Sequence, residues 1–190
     1  MRLTTAFLAG LAVLAAPAAL AHTGVHPLDG FLAGFTHPFA GLDHLLAMLG
    51  VGLWAAAVAP RRAWLLPLVF VAVMAAGAGL AVAGLPLAGE ETGIAASVLL
   101  LGLLMASMAR LGIGHAALLV GLFALFHGHA HGAEMAAGAD FSAYAAGFAA
   151  ATALLHIAGI ALGWSLLRVP VLYRGLGGLM GAWGTFLLFA

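Results

Sequence analysis

Residues 31–58 read FLAGFTHPFAGLDHLLAMLGVGLWAAAV, and this stretch decides the class of fold. It is apolar almost throughout, and Asp43 is its one acidic side chain. About 20 consecutive apolar residues are enough for an α-helix to cross a bilayer. We therefore predict that residues 31–58 form a membrane-spanning helix rather than part of a soluble domain.

Five further apolar stretches follow, with approximate limits 63–86, 92–110, 112–131, 141–167 and 171–190. Over the whole chain 65% of residues are hydrophobic and 6% are charged, whereas an ordinary globular domain is roughly 45–50% apolar and about 25% charged. The sequence thus predicts an all-α, polytopic membrane protein. Its six transmembrane helices are expected to form a single domain over residues 22–190.

The amino terminus has the features of a secretory signal peptide. Arg2 precedes an apolar run at 6–16, and Ala-Leu-Ala at 19–21 is a small-x-small cleavage pattern. We predict that residues 1–21 are a signal peptide and that cleavage makes His22 the mature amino terminus. A retained first transmembrane helix is the alternative, but the apolar run is shorter than the ~20 residues needed to span.

The charged residues predict an orientation, because arginines in short loops favour the cytoplasmic side of a membrane. If the mature chain begins outside, the cytoplasmic positions are Arg61, Arg62, Arg110, Arg168 and Arg174, and the external ones are Asp29, Glu90, Glu91, Glu134 and Asp140. We therefore expect an inner-membrane protein with both mature termini in the periplasm.

The composition also excludes several classes of function. The formal net charge is +0, so there is no basic surface to hold nucleic acid. The absence of cysteine excludes disulfide scaffolds, thiolate zinc sites, iron–sulfur ligation and cysteine nucleophiles. There is no room for a soluble catalytic domain, and neither an HExxH nor a GxxxxGK[ST] motif occurs. We predict that the protein is not an enzyme.

The first candidate metal site is the segment HPFAGLDH, which carries His37, Asp43 and His44. On an ideal helix His37 and His44 share a face but lie about 10 Å apart along the axis. Pro38 is expected to begin or kink the helix, which would allow His37 to fold back. Otherwise Asp43 and His44 share an ion only with help from another helix, or line successive positions of a path.

Asp43 is unusual because it lies within the predicted membrane span. An ionised Asp there costs roughly 2.5–3.5 kcal/mol on insertion scales, so it is by default a functional candidate. The alternative is a structural ion pair or a hydrogen-bonded polar contact between helices. We favour a role in binding a cation, since the arginines are predicted at the cytoplasmic ends of the helices and none lies within the membrane to neutralise the carboxylate.

The second candidate metal site is FHGHAHGAE at residues 126–134. His127 and His131 are four residues apart and share a helical face, and Glu134 follows three residues later. If the glycines let the segment unwind, its three alternating histidines converge instead from extended backbone. A solvated His-rich loop is the remaining alternative. Imidazole with carboxylate and no thiolate indicates nickel, cobalt, zinc or copper(II).

Two isolated histidines are further candidates. His156 lies in the middle of the predicted span 141–167, where it is either a metal ligand or relay, or an interhelical hydrogen-bond donor. His115 is a weaker candidate, either an exit ligand on the cytoplasmic side or an interface residue.

Other polar and sulfur-containing residues have ordinary interpretations. Glu90 and Glu91 are expected either to cap a helix or to form an electronegative external surface that concentrates cations. Met48, Met105 and Met108 are interpreted as packing residues, although a thioether also binds soft ions.

Four runs carry a resemblance to a known family: HPFAGLDHLLAMLGVGLWA from His37, EETGIAASVLLLG from Glu90, FHGHAHGAE from Phe126, and LLHIAG around His156. Together they resemble the HupE/UreJ family over nearly the whole mature chain. The resemblance implies a nickel permease, or a nickel-supply accessory protein, associated with hydrogenase and urease maturation. Its two motifs imply the metal-binding residues His37, Asp43, His44, His127, His131 and Glu134.

Two functions follow as expectations. The first is a transporter that imports a divalent transition metal, with Ni²⁺ as the expected ion and Co²⁺ or another divalent metal as alternatives. The second is a membrane accessory protein that hands nickel to hydrogenase or urease maturation proteins without transporting it. No permanently bound cofactor is expected, and the partners are the metal ion, the lipid bilayer and those maturation proteins.

Overall fold

The structure is a computed structural model that describes residues 30–135 and 137–190. The predicted signal peptide at residues 1–21 lies outside the described residues. Within the described ranges the chain forms helices and no strands, which confirms the all-α class. The helices are α1 (Phe31–Ala40), α2 (Leu42–Val58), α3 (Leu65–Val82), α4 (Glu90–Ala106), α5 (Ile113–Ala133), α6 (Phe141–Leu166) and α7 (Pro170–Phe189).

The predicted single span at 31–58 is instead two helices, α1 and α2, which meet at 88°. The bend is not at Pro38, which lies inside α1, but at Gly41, whose backbone is extended (φ −104°, ψ 126°). Asp43 lies in the first turn of α2, where the helix dipole favours a carboxylate. Its Oδ1 accepts a hydrogen bond from the backbone N–H of His44 at 2.8 Å.

The described residues include three helices that are long and apolar enough to cross a membrane, namely α3, α5 and α6. The bent pair α1 and α2 is a fourth if it counts as one span. The predicted spans 92–110 and 171–190 overlap α4 and α7, which are helical but are not both long and apolar enough to count as membrane-crossing helices. Six spans therefore remain a prediction.

The helices pack mainly in pairs. α3 lies against α5 and α4 against α7, while both α1 and α2 lie against α6. Glycines allow close approach: a Cβ on Gly128 would collide with the carbonyl oxygen of Met74, and one on Gly102 would collide with the backbone of Gly177 and Gly181. Glycine here tightens helix packing, so the segment around Gly128 stays helical instead of unwinding.

The two ends of the bundle differ in charge. At one end the Arg174 Nε donates to the carbonyl oxygen of Ala106 at 2.9 Å, and Trp54 Nε1 donates to that of Ala109 at 3.0 Å. The order of the helices brings all the arginines of the described residues to this end, which we call the arginine end. They are Arg61, Arg62, Arg110, Arg168 and Arg174. The opposite, acidic end has Glu90, Glu91, Glu134 and Asp140.

Candidate metal centre

Three histidines from three helices meet near the acidic end. One ligand nitrogen from each of His37, His44 and His131 lies within 4.8 Å of the other two. The ring centroids of His37 and His44 are 6.0 Å apart, although a straight helix would separate these residues by about 10 Å along its axis. The bend at Gly41 therefore brings the two histidines of the first motif together, and α5 adds His131.

His127 extends this cluster along α5. It lies one turn before His131, and its ring centroid is 5.0 Å from that of His44. Both α5 histidines are on one face, as their spacing predicts, because α5 is continuous from Ile113 to Ala133. The alternative in which the segment unwinds, and all three of its histidines converge, is wrong.

Hydrogen bonds to one ring nitrogen leave the other nitrogen free for a metal. His44 Nδ1 donates to Asp43 Oδ1 at 3.1 Å, and His127 Nδ1 donates to the carbonyl oxygen of Phe123 at 2.9 Å. The Nε2 atoms of His44 and His127 are buried without a hydrogen-bond partner among the described residues. A carboxylate or carbonyl behind a histidine is the usual support for a metal ligand, because it fixes the tautomer and the ring orientation.

His131 is the most unusual member of the cluster. Its side chain is fully buried, and neither ring nitrogen has a hydrogen-bond partner within the described ranges. Its ring stacks on Phe148 with centroids 4.9 Å apart and planes at 5°. Buried polar atoms are normally hydrogen-bonded, and leaving one unsatisfied costs roughly 1–3 kcal/mol. A bound cation would satisfy a nitrogen that the protein leaves without a partner.

Two carboxylates accompany the imidazoles. Glu134 Oε2 lies 2.9 Å from His37 Nε2, and these side chains are 43% and 26% exposed. Asp43 is also partly exposed and supports His44. The cluster is therefore open to solvent at His37 and Glu134 and closed at His127 and His131. Negative charge at the open side favours entry of a cation.

His129 does not belong to the cluster, although it lies between His127 and His131 in the sequence. Its Nε2 donates to the carbonyl oxygen of Leu85 at 2.7 Å, and its Nδ1 lies 3.1 Å from Glu90 Oε1. His129 Nε2 is thus hydrogen-bonded, whereas Nδ1 has a charged carboxylate beside it but makes no hydrogen bond within the described residues. Glu90, which the sequence assigns to capping or to an external acidic surface, also ties α4 to α5, a contact that sequence patterns do not reveal.

His156 is buried but separate from the cluster. Neither of its ring nitrogens has a hydrogen-bond partner in the described part of the chain. The Phe70 ring contacts both His127 and His156, with centroid distances of 5.6 and 5.0 Å. His115, by contrast, is exposed at the start of α5, far along the helix from the cluster. No sequence pattern indicates this position of Phe70, because it depends on tertiary packing.

The arrangement suits a divalent ion of borderline softness. Neutral imidazole nitrogens with a nearby carboxylate match nickel, cobalt, zinc or copper(II), and no thiolate is present. The fold and the candidate site together describe a helical membrane protein in which imidazoles and carboxylates cluster near one end of the bundle.

Comparison with known proteins identifies the family. The chain belongs to the HupE/UreJ family, since the model described as "HupE / UreJ protein" matches residues 10–187. The chain is also 49% identical over 153 residues to "Protein HupE" of Rhizobium leguminosarum bv. viciae, and the match covers 80% of each chain. No solved structure matches the chain significantly. The resemblance predicted from the motifs is confirmed, and with the apolar helices it indicates a membrane location.

Proposed function

We propose that this chain is a transporter that moves a divalent transition-metal ion, with Ni²⁺ as the expected ion, inward across the cytoplasmic membrane for metalloenzyme maturation. The observation that carries the proposal is the convergence of His37, His44 and His131, whose ligand nitrogens lie within 4.8 Å of one another. Membership of the HupE/UreJ family, together with the motifs discussed above, supports nickel as the ion.

The ion enters at the acidic end, where Glu134 and His37 are partly exposed. It then binds His44 and His131, and continues to His127 deeper on α5. His156 is the next nitrogen ligand toward the arginine end. A series of binding sites that are each weak enough to release the ion allows it to pass, as in ion channels.

No nucleotide-binding motif is present, so the membrane potential or the ion gradient provides the driving force. A membrane potential contributes about 2.3 kcal/mol per elementary charge per 100 mV, and a divalent ion carries two charges. Inward movement of the ion is therefore favourable without ATP hydrolysis by this chain.

The proposed orientation has six spans, with the acidic end in the periplasm and the arginine end in the cytoplasm. Separation of the arginines from the carboxylates along the bundle supports this orientation through the positive-inside rule. Cleavage of residues 1–21 then leaves both mature termini in the periplasm.

Uptake of Ni²⁺ by the purified chain in liposomes tests the proposal. An inside-negative potential should drive Ni²⁺ into the vesicles without any partner protein. Binding without uptake would instead support the accessory role, in which the chain hands nickel to hydrogenase or urease maturation proteins. Protein-free liposomes and liposomes without a potential are the controls.

A further inference from the structure

Two thioethers and a hydroxyl meet in the interior beside the histidine cluster. Thr152 Oγ1 donates to Met48 Sδ at 3.2 Å and lies 3.7 Å from Met74 Sδ. All three side chains are fully buried, and they belong to α6, α2 and α3. One oxygen and two sulfur atoms from three helices therefore converge, and one of the sulfurs is that of Met48, which the sequence assigns to packing with soft-ion binding as the alternative.

Helix register places this group between the cluster and His156. Met48 is one turn beyond His44 on α2, and Thr152 is one turn before His156 on α6. Gly52, a further turn along α2, packs against the carbonyl oxygen of His156. The eight residues from His44 to Gly52 correspond to about 12 Å at 1.5 Å per residue.

Contacts of α3 place Met74 at the same depth in the bundle. The backbone of Met74 packs against Gly128, which follows His127 on α5. Phe70, one turn before Met74, contacts both His127 and His156. Met74 therefore lies at the level of His127, and its sulfur points to Thr152.

An ion moving from the cluster of His37, His44 and His131 to His156 needs ligands on the way, because an uncoordinated charge in a dry interior is very costly. Beyond Tyr144 on α6, the buried side chains with polar groups among the described residues are Thr152 and His156. Thioether sulfur is a polarizable, neutral donor, so it would bind a borderline divalent ion more weakly than imidazole does. Weak binding allows release toward His156.

We propose that Met48, Met74 and Thr152 form a second metal-binding site, which receives the ion from the histidine cluster and passes it to His156. This inference rests on the proposed transport function. The site takes soft or borderline cations through sulfur, whereas the cluster binds them through nitrogen and carboxylate oxygen.

The uptake test uses the full chain in liposomes with Ni²⁺. The double variant Met48→Leu/Met74→Leu keeps the volume of both side chains and removes both sulfurs. Its maximal uptake rate should fall about tenfold, with KM unchanged, since a barrier increase of about 1.4 kcal/mol corresponds to tenfold. Met105→Leu, which alters a buried methionine on α4, should retain the wild-type rate. A double variant that takes up Ni²⁺ at the wild-type rate would overturn the inference. Loss of Ni²⁺ binding in the double variant would also overturn it, because the methionines would then support the histidine cluster itself.

The hydroxyl provides a second, milder test. Thr152→Val keeps the shape of the side chain and removes its oxygen, so maximal uptake should fall. Thr152→Ser restores the oxygen and should restore most of the rate. If the Val and Ser variants have equal maximal uptake rates, the Thr152 hydroxyl is not part of the site.

A spectroscopic test separates this inference from the transport proposal. Silver(I) is a soft ion of the kind that thioethers select, and the chain has no cysteine, so sulfur ligands come from methionine. X-ray absorption spectra at the silver edge should show sulfur atoms next to silver in the purified wild type and in Met105→Leu. The same spectra of Met48→Leu/Met74→Leu should show no sulfur neighbours. Unchanged sulfur scattering in the double variant would contradict the site even if nickel is transported. Failure of wild type to transport nickel would contradict the proposed function and leave this measurement valid.

Discussion

His129 and His131 show how two histidines on one helix can have different roles. They are two residues apart, so their side chains point about 200° apart around α5. His129 Nε2 donates to the carbonyl oxygen of Leu85, and its Nδ1 lies 3.1 Å from the Glu90 carboxylate, which turns this ring away from the cluster. His131 has neither nitrogen engaged within the described residues and faces the cluster. A metal ion should therefore bind the second histidine and not the first.

Glutamine substitutions test this difference. His131→Gln removes an imidazole ligand and should weaken Ni²⁺ binding at least about tenfold, the lower bound seen when even supporting residues of metal sites are lost. His129→Gln should leave Ni²⁺ affinity within about twofold of wild type, a change of only a few tenths of a kcal/mol. Isothermal titration of the purified variants measures both. Equal affinities in the two variants would show that His131 is not a ligand.

Asp43 is expected to act through His44. Asp43→Asn retains an oxygen that can accept the His44 hydrogen bonds but removes the negative charge, so it should reduce Ni²⁺ uptake strongly. Supporting residues of this kind typically change metal affinity 10–100-fold. Membrane insertion and yield should be unaffected.

Asp140→Asn is a matched control, because Asp140 caps α6 by accepting from Ser142 and Ala143, and Asn is an equally good cap. Uptake should remain at the wild-type level there. If Asp43→Asn also takes up Ni²⁺ at the wild-type level, Asp43 has only a structural role.

At the scale of the helices, the bend between α1 and α2 creates the site. A straight helix would separate His37 from His44 by about 10 Å, so the two can share an ion only if the helix bends. The sequence predicts a bend at Pro38, but Pro38 lies within α1 and Gly41 adopts the extended backbone. Local patterns cannot decide between them, since the bend depends on packing of α1 against α6, where Gly34 meets Tyr144 and Gly147 meets Phe31.

Gly128 sets the distance between α3 and α5. Gly128→Ala places a methyl group against the Met74 carbonyl oxygen, and overpacking of this kind typically costs about 1–3 kcal/mol. Gly79→Ala, on α3, has open space around the new methyl group and should be neutral or stabilising by up to about 1 kcal/mol. Thermal unfolding in detergent compares them. Equal stability of both variants would show that α3 and α5 can separate freely at this contact.

Across the whole molecule, the charge distribution predicts an orientation. Reporter fusions after Arg62, Arg110 and Arg174 should be cytoplasmic, and fusions near Glu90 and Gly138 should be external. A cytoplasmic reporter at Gly138 would contradict the external position of the histidine cluster.

The all-helical class and the family could be predicted from the sequence, and so could the shared face of His127 and His131. Those features follow from hydropathy, quoted motifs and helical period. Three features could not be predicted from the sequence. They are the contact of His44 with α5, the contact of His129 with Glu90, and the contacts of Thr152 with two methionines. Each of these depends on which helices face each other: His44 and His127 are 83 positions apart in the sequence, and Thr152 is 104 positions from Met48 and 78 from Met74.

The most direct test of the central claim is Ni²⁺ uptake into liposomes that contain either the wild-type chain or His131→Gln, at equal protein content and equal inside-negative potential. Wild type should take up Ni²⁺ without a partner, and His131→Gln should show a raised KM or no uptake above protein-free vesicles. Equal uptake by the two proteins would contradict a transport path through the histidine cluster, and no uptake by wild type would contradict transport itself.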